Sequence, residues 1–484
     1  DFFARFKRMD GFNVSFLTGT DEHGLKIQRA AEEKKLQPLE FCDQISKTFR
    51  DLSKTLNLTN TDFIRTTEER HKKTVQYLWN ELEKNDDIYL SNYSGWYSIS
   101  DEAFYNEDEI EEIDGKKFSI SSKSTVEWIE EESYFFRLSK WEKPLLEHYK
   151  SNPNFISPDS RKNEVISFVK GGLKDLSVSR KTFSWGIQVP KNKNHVIYVW
   201  LDALANYISA LNYPDKNHQL FKKFWPASLH LIGKDILRFH AIYWPAFLLA
   251  AKIDLPKKVY GHGWILSGDE KMSKSKGNIL DPLQIIKEYG LDPLRYYLIK
   301  EVSFGNDGNI SQNKLEDCIN SDLANNFGNL CQRVTAFAEK NCEGKIPSDI
   351  EFNNDDLKIL DKFKDNINLV RKKIDELDIN FYIDFIISSL FETNKYFNDQ
   401  EPWKKKDDKK RLNTIVYTTL EVVRKISFML YPIIPQSSLN ALKIFSINES
   451  EIDYSSINDH NFLNGGNKIH KIDILFKKIE KKND

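Results

Sequence analysis

Three lysines and two serines fall within six consecutive positions, residues 271–276, and this is the part of the chain whose side chains could do the most specific chemistry. Gly268 and Gly277 flank the group and let the backbone swing, while the lysines carry charge on flexible stems and the serine hydroxyls can donate hydrogen bonds. Such a loop is suited to closing over phosphate. A solvated basic turn is the plainer alternative, because short motifs also occur by chance.

The composition is that of a globular chain of two or three domains. It has 484 residues, 40% of them hydrophobic, and no apolar run approaches the roughly 20 residues that a membrane span needs. Its four cysteines are scattered without a close pair, which predicts a reducing compartment and no cysteine-rich metal site. The net charge of -2 means that any polyanion must be met by local basic patches, such as residues 404–406 and 409–411.

The elements that must position the basic loop follow an α/β pattern. A strand at 13–17 runs into a polar turn at 18–24 and a helix at 25–35, which is half of a doubly wound unit. Further strands are predicted at 195–200, 228–232 and 257–266, and further helices at 203–211 and 236–251. The basic loop follows the last of these strands, at the end where open α/β sheets bind ligands.

Two other regions differ from this α/β pattern in their predicted secondary structure. Residues 89–189 hold short aromatic strands and acidic turns, including strands at 95–99 and 132–138, and are predicted to be an insertion. After residue 282 there is no strand pattern except a possible stub in the tail, and the helical runs predict a bundle. These runs are residues 322–340, 355–377, 382–397, 409–430 and 436–443. A helix is also predicted at residues 1–10.

The sequence around the basic loop resembles a known signature. The run Gly261-His262-Gly263-Trp264, followed by residues 271–275, resembles the second signature of class I aminoacyl-tRNA synthetases. Four further blocks narrow the resemblance to the methionyl-tRNA synthetase family. These blocks are residues 18–24, residues 198–203, residues 232–235 with Phe239-His240, and residues 401–403.

The resemblance implies a fold and a domain plan. We expect a split Rossmann-like, doubly wound parallel α/β sheet with an inserted small α/β connective domain, followed by an all-α anticodon-binding helical bundle. The predicted segments are 1–88 and 191–281 for the two halves of the Rossmann-like domain, 89–190 for the insertion, 282–325 for a linker that contacts the tRNA stem, and 326–484 for the helical domain.

The resemblance also assigns roles to individual residues. The implied ATP-binding residues are Gly233, Asp235, His262, Gly263, Lys271, Met272, Ser273, Lys274 and Ser275, with Lys274 and Lys271 as the catalytic lysines. The implied methionine-binding residues are Asp21, Trp200, Ala203, Tyr207 and His240. The implied anticodon-reading residues are Asn329, Arg333 and Trp403. Leu204 stands where relatives often have proline.

Each of these positions has a plainer alternative. Asp21 could be an ordinary turn former, and Asp235 could cap the helix that follows it. Trp200 and Tyr207 lie seven residues apart, as two core positions on one helix face would. His240 could be a core histidine with both nitrogens bonded. Trp403 could be a plug between helices.

The activity implied is that of a methionine–tRNA ligase, which activates L-methionine with ATP and transfers it to tRNA(Met). Magnesium is expected to accompany ATP, held mainly by phosphates. A cytoplasmic monomer without membrane attachment is expected. Two alternatives stay open: a class I synthetase for another amino acid, and a non-catalytic tRNA-binding paralogue.

The chain departs from the family in two places. The family's first signature, expected just before the helix at 1–10, does not occur in these residues, which implies either a truncated sequence or a protein unable to activate an amino acid. In the insertion, Ser98 and Asp101 stand where many relatives carry a zinc-binding cysteine pair. A hydroxyl and a lone carboxylate are poor zinc ligands, so no structural zinc is predicted.

Overall fold

The computed structural model describes residues 1–101, 103–267, 270–271, 281–458 and 463–480. The chain divides into two compact units. Residues 15–262 form the α/β unit, and residues 1–14 with 263–484 form the helical unit. The division into five segments stays a prediction.

Helices and strands alternate through the α/β unit, whereas helices dominate the helical unit. The helices are α1 (Phe2–Met9), α2 (Leu25–Glu33), α3 (Pro38–Thr55), α4 (Glu69–Lys84), α5 (Glu142–Ser151), α6 (Asp159–Lys170), α7 (Val199–Leu204), α8 (Asn206–Ser209), α9 (Gln219–Phe224), α10 (Trp244–Ala250), α11 (Pro282–Tyr289), α12 (Leu291–Glu301), α13 (Gln312–Cys318), α14 (Asn329–Asn341), α15 (Asn354–Asp375), α16 (Ile379–Asp399), α17 (Lys409–Leu430) and α18 (Pro435–Leu442). The strands are β1 (Leu17–Thr20), β2 (Asp62–Arg65), β3 (Ile88–Ser98), β4 (Ala103–Tyr105), β5 (Ile110–Ile113), β6 (Lys116–Ser119), β7 (Glu127–Phe136), β8 (Ile156–Ser157), β9 (Leu176–Ser177), β10 (Ser179–Arg180), β11 (Gln188–Val189), β12 (Asn192–Ile197), β13 (His230–Gly233), β14 (Val259–His262), β15 (Ile265–Ser267), β16 (Glu270–Lys271) and β17 (Gly308–Asn309).

Parallel strands form the centre of the α/β unit. β1 pairs with β2, and β14 lies between β13 and β8, all in parallel. Helices pack on these strands through apolar faces, and the resulting core includes the fully buried Trp79, Phe136, Trp244 and Phe247. The register pairs Gly233 with His262 at the carboxyl ends of β13 and β14. Loops that leave this edge are therefore the ones that can hold a ligand.

The helical unit is a bundle whose core is built mainly by α14 to α18. Two of its helices begin at capping residues. Asn353 and Asp356 form a capping box at the start of α15, and Asp408 accepts a hydrogen bond from the backbone of Arg411 at the start of α17. Helix α1 belongs to this unit by its packing. The ring of Phe6 lies 5.6 Å from Tyr382 and 4.9 Å from Tyr454, and all three are buried.

The predicted combination of an α/β region and a helical carboxyl-terminal region is confirmed, and the differences are local. Helix α17 has the predicted limits, whereas the strand predicted at 13–17 is β1 at Leu17–Thr20. The helix predicted at 236–251 is a 3-10 turn at Lys234–Ile236, a π-helical turn at Phe239–Tyr243 and then α10. The helical region also holds a two-residue strand, β17, that the sequence did not predict.

The strand predicted at 257–266 is two strands, β14 and β15, with a break at Gly263 and Trp264. The backbone of residue 306 causes part of this break, because a Cβ at Gly263 would lie 2.1 Å from the carbonyl oxygen of Asn306. The Trp264 amide donates to Asp307 Oδ1 at 2.9 Å, and β15 pairs in parallel with β17. Only glycine tolerates so close a backbone approach.

The insertion is an antiparallel sheet in which β3 and β7 form the long central pair, with β4 and β9 at the edges. The Asp101 carboxylate accepts hydrogen bonds from Tyr105 at 2.7 Å, Ser124 at 2.8 Å and Ser122. The Asp101 amide in turn donates to the hydroxyl of Ser98 at 3.3 Å. At the position where many relatives were expected to carry a zinc-binding cysteine pair, this chain therefore has hydroxyl groups bonded to one carboxylate.

No group of three histidine, cysteine, aspartate or glutamate side chains is arranged to hold a metal ion among the residues that the structure describes. The donor set at Ser98 and Asp101 does not suit zinc, because three of the partners of Asp101 are hydroxyl groups. The absence of a structural zinc stays a prediction.

We expect Asp101→Ala to loosen the insertion, because three hydroxyl groups would lose their acceptor at a cost of about 1–3 kcal/mol. Amide hydrogen exchange should speed up in β3, β4 and β7 and stay unchanged in α10. Asp108→Ala is the matched control, since Asp108 is exposed in the same insertion. Equal exchange in the two variants would show that the carboxylate does not hold this corner together.

Candidate active site and RNA-binding surface

The turn after β1 has one exposed carboxylate, followed by three buried residues. Glu22, His23 and Gly24 are buried, whereas Asp21 is exposed. The carboxylate of Glu22 accepts from the guanidinium of Arg65 at 2.8 Å, from Thr20 at 2.7 Å and from Thr67 at 2.5 Å. The turn is therefore rigid, and Asp21 is its outward-facing side chain.

Gly24 ends this turn and begins α2 with a φ of 105°, a backbone conformation that favours glycine. Its amide donates to the carbonyl of Trp185 at 3.1 Å, and the indole Nε1–H of Trp185 donates to the carbonyl of Glu22 at 2.6 Å. Trp185 thus bonds the backbone of this turn at two residues.

A buried carboxylate links this turn to two other segments. Asp202 is fully buried in α7, and its two oxygens lie 2.6 Å from His23 Nδ1 and 2.7 Å from His71 Nε2. His71 Nδ1 lies 2.9 Å from the hydroxyl of Ser209. Burial alone would raise the pKa of Asp202, but the charges and hydrogen bonds of His23 and His71 hold that pKa below its ordinary value.

The predicted methionine-binding side chains of α7, α8 and the π-helical turn form a connected aromatic group. The ring of Trp200 stacks on Phe239, with centroids 3.6 Å apart and an interplanar angle of 11°. The hydroxyl of Tyr207 lies 2.7 Å from His240 Nε2. Ala203 is buried on α7, one turn after Trp200. π-Helical turns of this kind often occur at functional sites.

The hydrogen bonds of His240 define its tautomer. Nδ1 donates to the carbonyl of Ile236 at 2.9 Å, so in the neutral ring Nε2 accepts from the Tyr207 hydroxyl. Burial lowers the pKa of His240 to about 4, and burial with the neighbouring His240 lowers that of His230 to about 3. These two rings are therefore uncharged at neutral pH.

These contacts bear on the plainer alternatives for the aromatic residues. Trp200 and Tyr207 are both only partly buried, and the helix is interrupted between α7 and α8, so they are not two core positions of one regular helix. His240 has both nitrogens bonded, as a core histidine would. One of its partners is nevertheless Tyr207, which is only partly buried.

Two of the predicted ATP-binding residues, Gly233 and His262, lie at the carboxyl edge of the sheet. Gly233 ends β13 beside His262, and a Cβ at Gly233 would lie 2.6 Å from Asp235 Oδ1. The carboxylate of Asp235 therefore lies against an open backbone. The helix-cap alternative for Asp235 is wrong, because Gly233 is the capping residue and Asp235 lies inside the 3-10 turn.

The basic loop itself falls largely outside the described residues. Met272, Ser273, Lys274 and Ser275 are among those left undescribed, and of Lys271 only the backbone is described, in β16. Their predicted roles stay predictions.

In the helical unit, Arg333 and Trp403 meet the same buried ring. Arg333 lies 5.5 Å from the centroid of Phe397, and Trp403 packs edge-on against Phe397 at 6.3 Å. The guanidinium of Arg333 also donates to Asn398 Oδ1 at 2.7 Å. Asn329 is exposed one turn earlier on α14. The indole of Trp403 is 41% exposed, so it is not a buried plug between helices.

The sequence missed several residues of the α/β site. Asp202 and Phe239 lie inside blocks quoted for the resemblance, and an aspartate between apolar residues of a helix was a usable signal. His71, Ser209 and Trp185 had no local signal, since each reaches the site only through tertiary contacts. No helix in the described part of the chain is long and apolar enough to cross a membrane.

Comparisons with known proteins agree with this architecture. Residues 1–117 and 114–335 match the family described as tRNA synthetases class I (M), and residues 346–484 match the anticodon binding domain of methionyl tRNA ligase. A methionine–tRNA ligase of Rickettsia felis is 49% identical over 487 residues, covering 99% of this chain and 94% of that protein. One from Brucella suis is 47% identical, covering 94% of this chain and 89% of that protein.

Solved structures agree as well. A Mycobacterium tuberculosis methionyl-tRNA synthetase bound by methionyl-adenylate has a TM-score of 0.95 and 42% identity, covering 98% of this chain and 94% of that one. The free state of the synthetase from the same organism has a TM-score of 0.90 and 39% identity, with coverages of 99% and 93%. Both the order of elements and the sequence are thus shared along nearly the whole chain.

We expect the α/β unit to lose stability on mild acidification. Burial lowers the pKa values of His230 and His240, so below about pH 6.5 the unfolded chain binds protons at these histidines and the folded chain does not. The free energy of unfolding therefore decreases as the pH is lowered. Between about pH 6.5 and 4.5 the loss should reach about 2 kcal/mol for each histidine. Urea unfolding read by tryptophan fluorescence measures this, since all ten tryptophans except Trp264 and Trp403 lie in the α/β unit.

The His230→Gln variant should lose about 2 kcal/mol less than the parent over the same drop in pH. His470→Gln is the control, because His470 is exposed in the helical unit. Identical pH slopes for the parent and His230→Gln would contradict the neutral state assigned to this ring.

Proposed function

Because this chain belongs to the class I methionyl-tRNA synthetase family, we propose that it activates L-methionine with ATP and transfers the methionyl group to tRNA(Met). The observation that carries the choice of amino acid is the uncharged aromatic pocket of Trp200, Phe239, Tyr207 and His240. Methionine has an unbranched, polarizable thioether, and sulfur gains about 0.3–1.5 kcal/mol from each aromatic contact.

The amino acid would be held at both ends. The exposed Asp21 carboxylate can accept from the ammonium group, while the thioether enters the pocket lined by Trp200, Ala203 and Tyr207. A neutral His240 supports this choice, because a charged ring beside an apolar side chain would add a desolvation cost. The methionine carboxylate would then point away from Asp21 towards ATP.

Gly233, Asp235, His262 and Gly263 are proposed to hold the nucleotide. Glycine at position 233 permits close approach of the Asp235 carboxylate to the backbone, and that carboxylate can accept from ribose hydroxyls. Lys271, Met272, Ser273, Lys274 and Ser275 are proposed to close over the phosphates, with Lys274 and Lys271 neutralising their charge. Magnesium would be held mainly by the phosphates.

The first step joins a carboxylate oxygen of methionine to the α-phosphorus of ATP and breaks the bond from that phosphorus to the oxygen that leaves with pyrophosphate. In the second step a hydroxyl of the terminal tRNA nucleotide attacks the carbonyl carbon, and AMP leaves with the bonding electrons. The proteins of this family need little covalent help, so positioning and charge neutralisation supply the catalysis.

Asn329, Arg333 and Trp403 are proposed to read the anticodon. The exposed face of Trp403 can stack on an unpaired base, a contact that contributes about 1–3 kcal/mol. The exposed Lys405 and Lys406 that follow it can meet the RNA backbone. We further propose that the protein acts as a cytoplasmic monomer and that the five predicted segments are its functional domains.

Methionine-dependent exchange of pyrophosphate into ATP tests the activation step and separates methionine from other amino acids. Exchange supported equally by leucine or isoleucine would favour a synthetase of another specificity. The absence of any exchange, with tRNA binding retained, would favour a non-catalytic RNA-binding protein.

We expect Lys274→Ala to lower the rate of exchange by orders of magnitude while methionine binding stays nearly intact. Removal of one contact that stabilises charge in the transition state typically costs about 3–4 kcal/mol. Stopped-flow measurement of adenylate formation gives the rate, with Lys287→Ala as the control because Lys287 is an exposed lysine of α11. An unchanged rate in Lys274→Ala would refute the phosphate-closing role of the loop.

We expect Trp403→Ala to weaken charging of tRNA(Met) by roughly tenfold to a hundredfold, as loss of one stacked base predicts. Pyrophosphate exchange should be unaffected, since it needs no tRNA. Trp128→Ala is the matched control, because Trp128 is 48% exposed compared with 41% for Trp403 and lies in the insertion. Equal damage to exchange and charging in Trp403→Ala would indicate a structural role instead.

A further inference from the structure

A continuous line of buried hydrogen bonds lies within the α/β unit. It runs from His23 through the two oxygens of Asp202 to His71 and then to Ser209, with successive separations of 2.6, 2.7 and 2.9 Å. The relative exposure of these four residues is 5% or less. The line joins positions that are as much as 186 residues apart in sequence, since it begins at residue 23 and ends at residue 209.

Each end and the middle of this line lie next to a proposed methionine-binding residue. His23 is two residues after Asp21, Asp202 lies between Trp200 and Ala203, and Ser209 is two residues after Tyr207. The line therefore joins the turn that would hold the ammonium group to the two helices that would hold the thioether. None of its own side chains has a proposed contact with substrate.

A fully buried carboxylate is retained only when its oxygens are bonded, because desolvation of an unpaired charge is costly. Asp202 meets this requirement with two donors that point at it from opposite segments, the turn after β1 and helix α4. Apolar residues of the same size can give equal stability at such a position. Unlike an apolar residue, a carboxylate forms directional hydrogen bonds, and each of its oxygens fixes the orientation of one imidazole ring.

The turn has a second, independent support. Its His23 ring packs edge-on against Trp185 at 5.4 Å, and Trp185 bonds the backbone of both Glu22 and Gly24. The turn is thus held by its backbone on one side and by a side chain on the other. Loss of the bond between His23 and Asp202 would leave the backbone bonds of the turn intact. The His23 side chain could then change its orientation, and we expect this change to shift the neighbouring Asp21.

We infer that Asp202 is a positioning residue for amino-acid binding: through His23 and His71 it fixes the distance between the Asp21 carboxylate and the aromatic pocket. This inference rests on the proposed activation of methionine and adds to it a group that sets the fit of substrate without contacting it. A fixed distance between the Asp21 carboxylate and the aromatic pocket would distinguish methionine from amino acids with shorter or longer side chains.

Paired substitutions at His71 and His23 test this inference in the full chain. His71→Ala removes the donor to Asp202, whereas His71→Gln keeps an amide N–H close to the position of Nε2; His23→Ala and His23→Asn do the same for Nδ1. We expect each alanine variant to raise the KM for methionine by about tenfold or more, and each amide variant to stay within about threefold of the parent. The KM for ATP should change by less than about threefold in all four.

Asp356→Asn is the control for a purely structural effect. Asp356 is also fully buried, in the helical unit, and its carboxylate accepts from Arg411 and Tyr396. This variant should lower the melting temperature without changing the KM for methionine. An unchanged KM for methionine in His71→Ala, together with a lowered melting temperature, would overturn the positioning role and leave the proposed function intact. Absence of exchange in the parent protein would overturn both.

Discussion

The buried carboxylate of Asp202 is the constraint on which the geometry of the candidate pocket depends. Its oxygens bond two histidines that come from the turn after β1 and from α4, and it is itself carried by α7. Three chain segments that are far apart in sequence therefore meet at one ionised group from which water is excluded. Because a charge in that position tolerates little change in its partners, the relative positions of these segments follow from its hydrogen bonds.

Two other buried histidines of the same unit differ from His23 and His71. His230 and His240 have no acid beside them among the described contacts, and burial keeps both rings neutral. The α/β unit thus holds one buried carboxylate ionised and these two buried rings uncharged. The separation has a chemical reason, since a thioether gains from polarizable, uncharged surfaces and an ammonium group needs a carboxylate.

The sequence predicted what is encoded locally. The limits of α17, the polar turn before α2 and the edge position of Gly233 and His262 all follow from apolar periodicity, capping residues and short motifs. The break at Gly263 was not predictable in this way, because it depends on the backbone of residue 306, more than forty residues later.

Asp235 shows a second limit of local patterns. An aspartate before a helical run is usually a cap, but in this chain the helix begins one turn early, at a glycine whose open backbone leaves room for the carboxylate. Likewise, nothing near His71 indicates that it bonds a residue 131 positions away. Sequence reasoning proposed side chains that would touch substrate, but it did not propose those that bond to the segments carrying them.

The helical unit shows how such holding works at an exposed surface. Phe397 is almost fully buried, yet its ring contacts both Arg333 and Trp403, so two side chains from different helical segments share one fixed support. A guanidinium has five donors, and the single bond to Asn398 leaves most of them able to meet a base or phosphate. Because that bond and the aromatic ring already fix its orientation, Arg333 would lose little conformational freedom when RNA binds, and a larger share of its contact energy would remain as affinity.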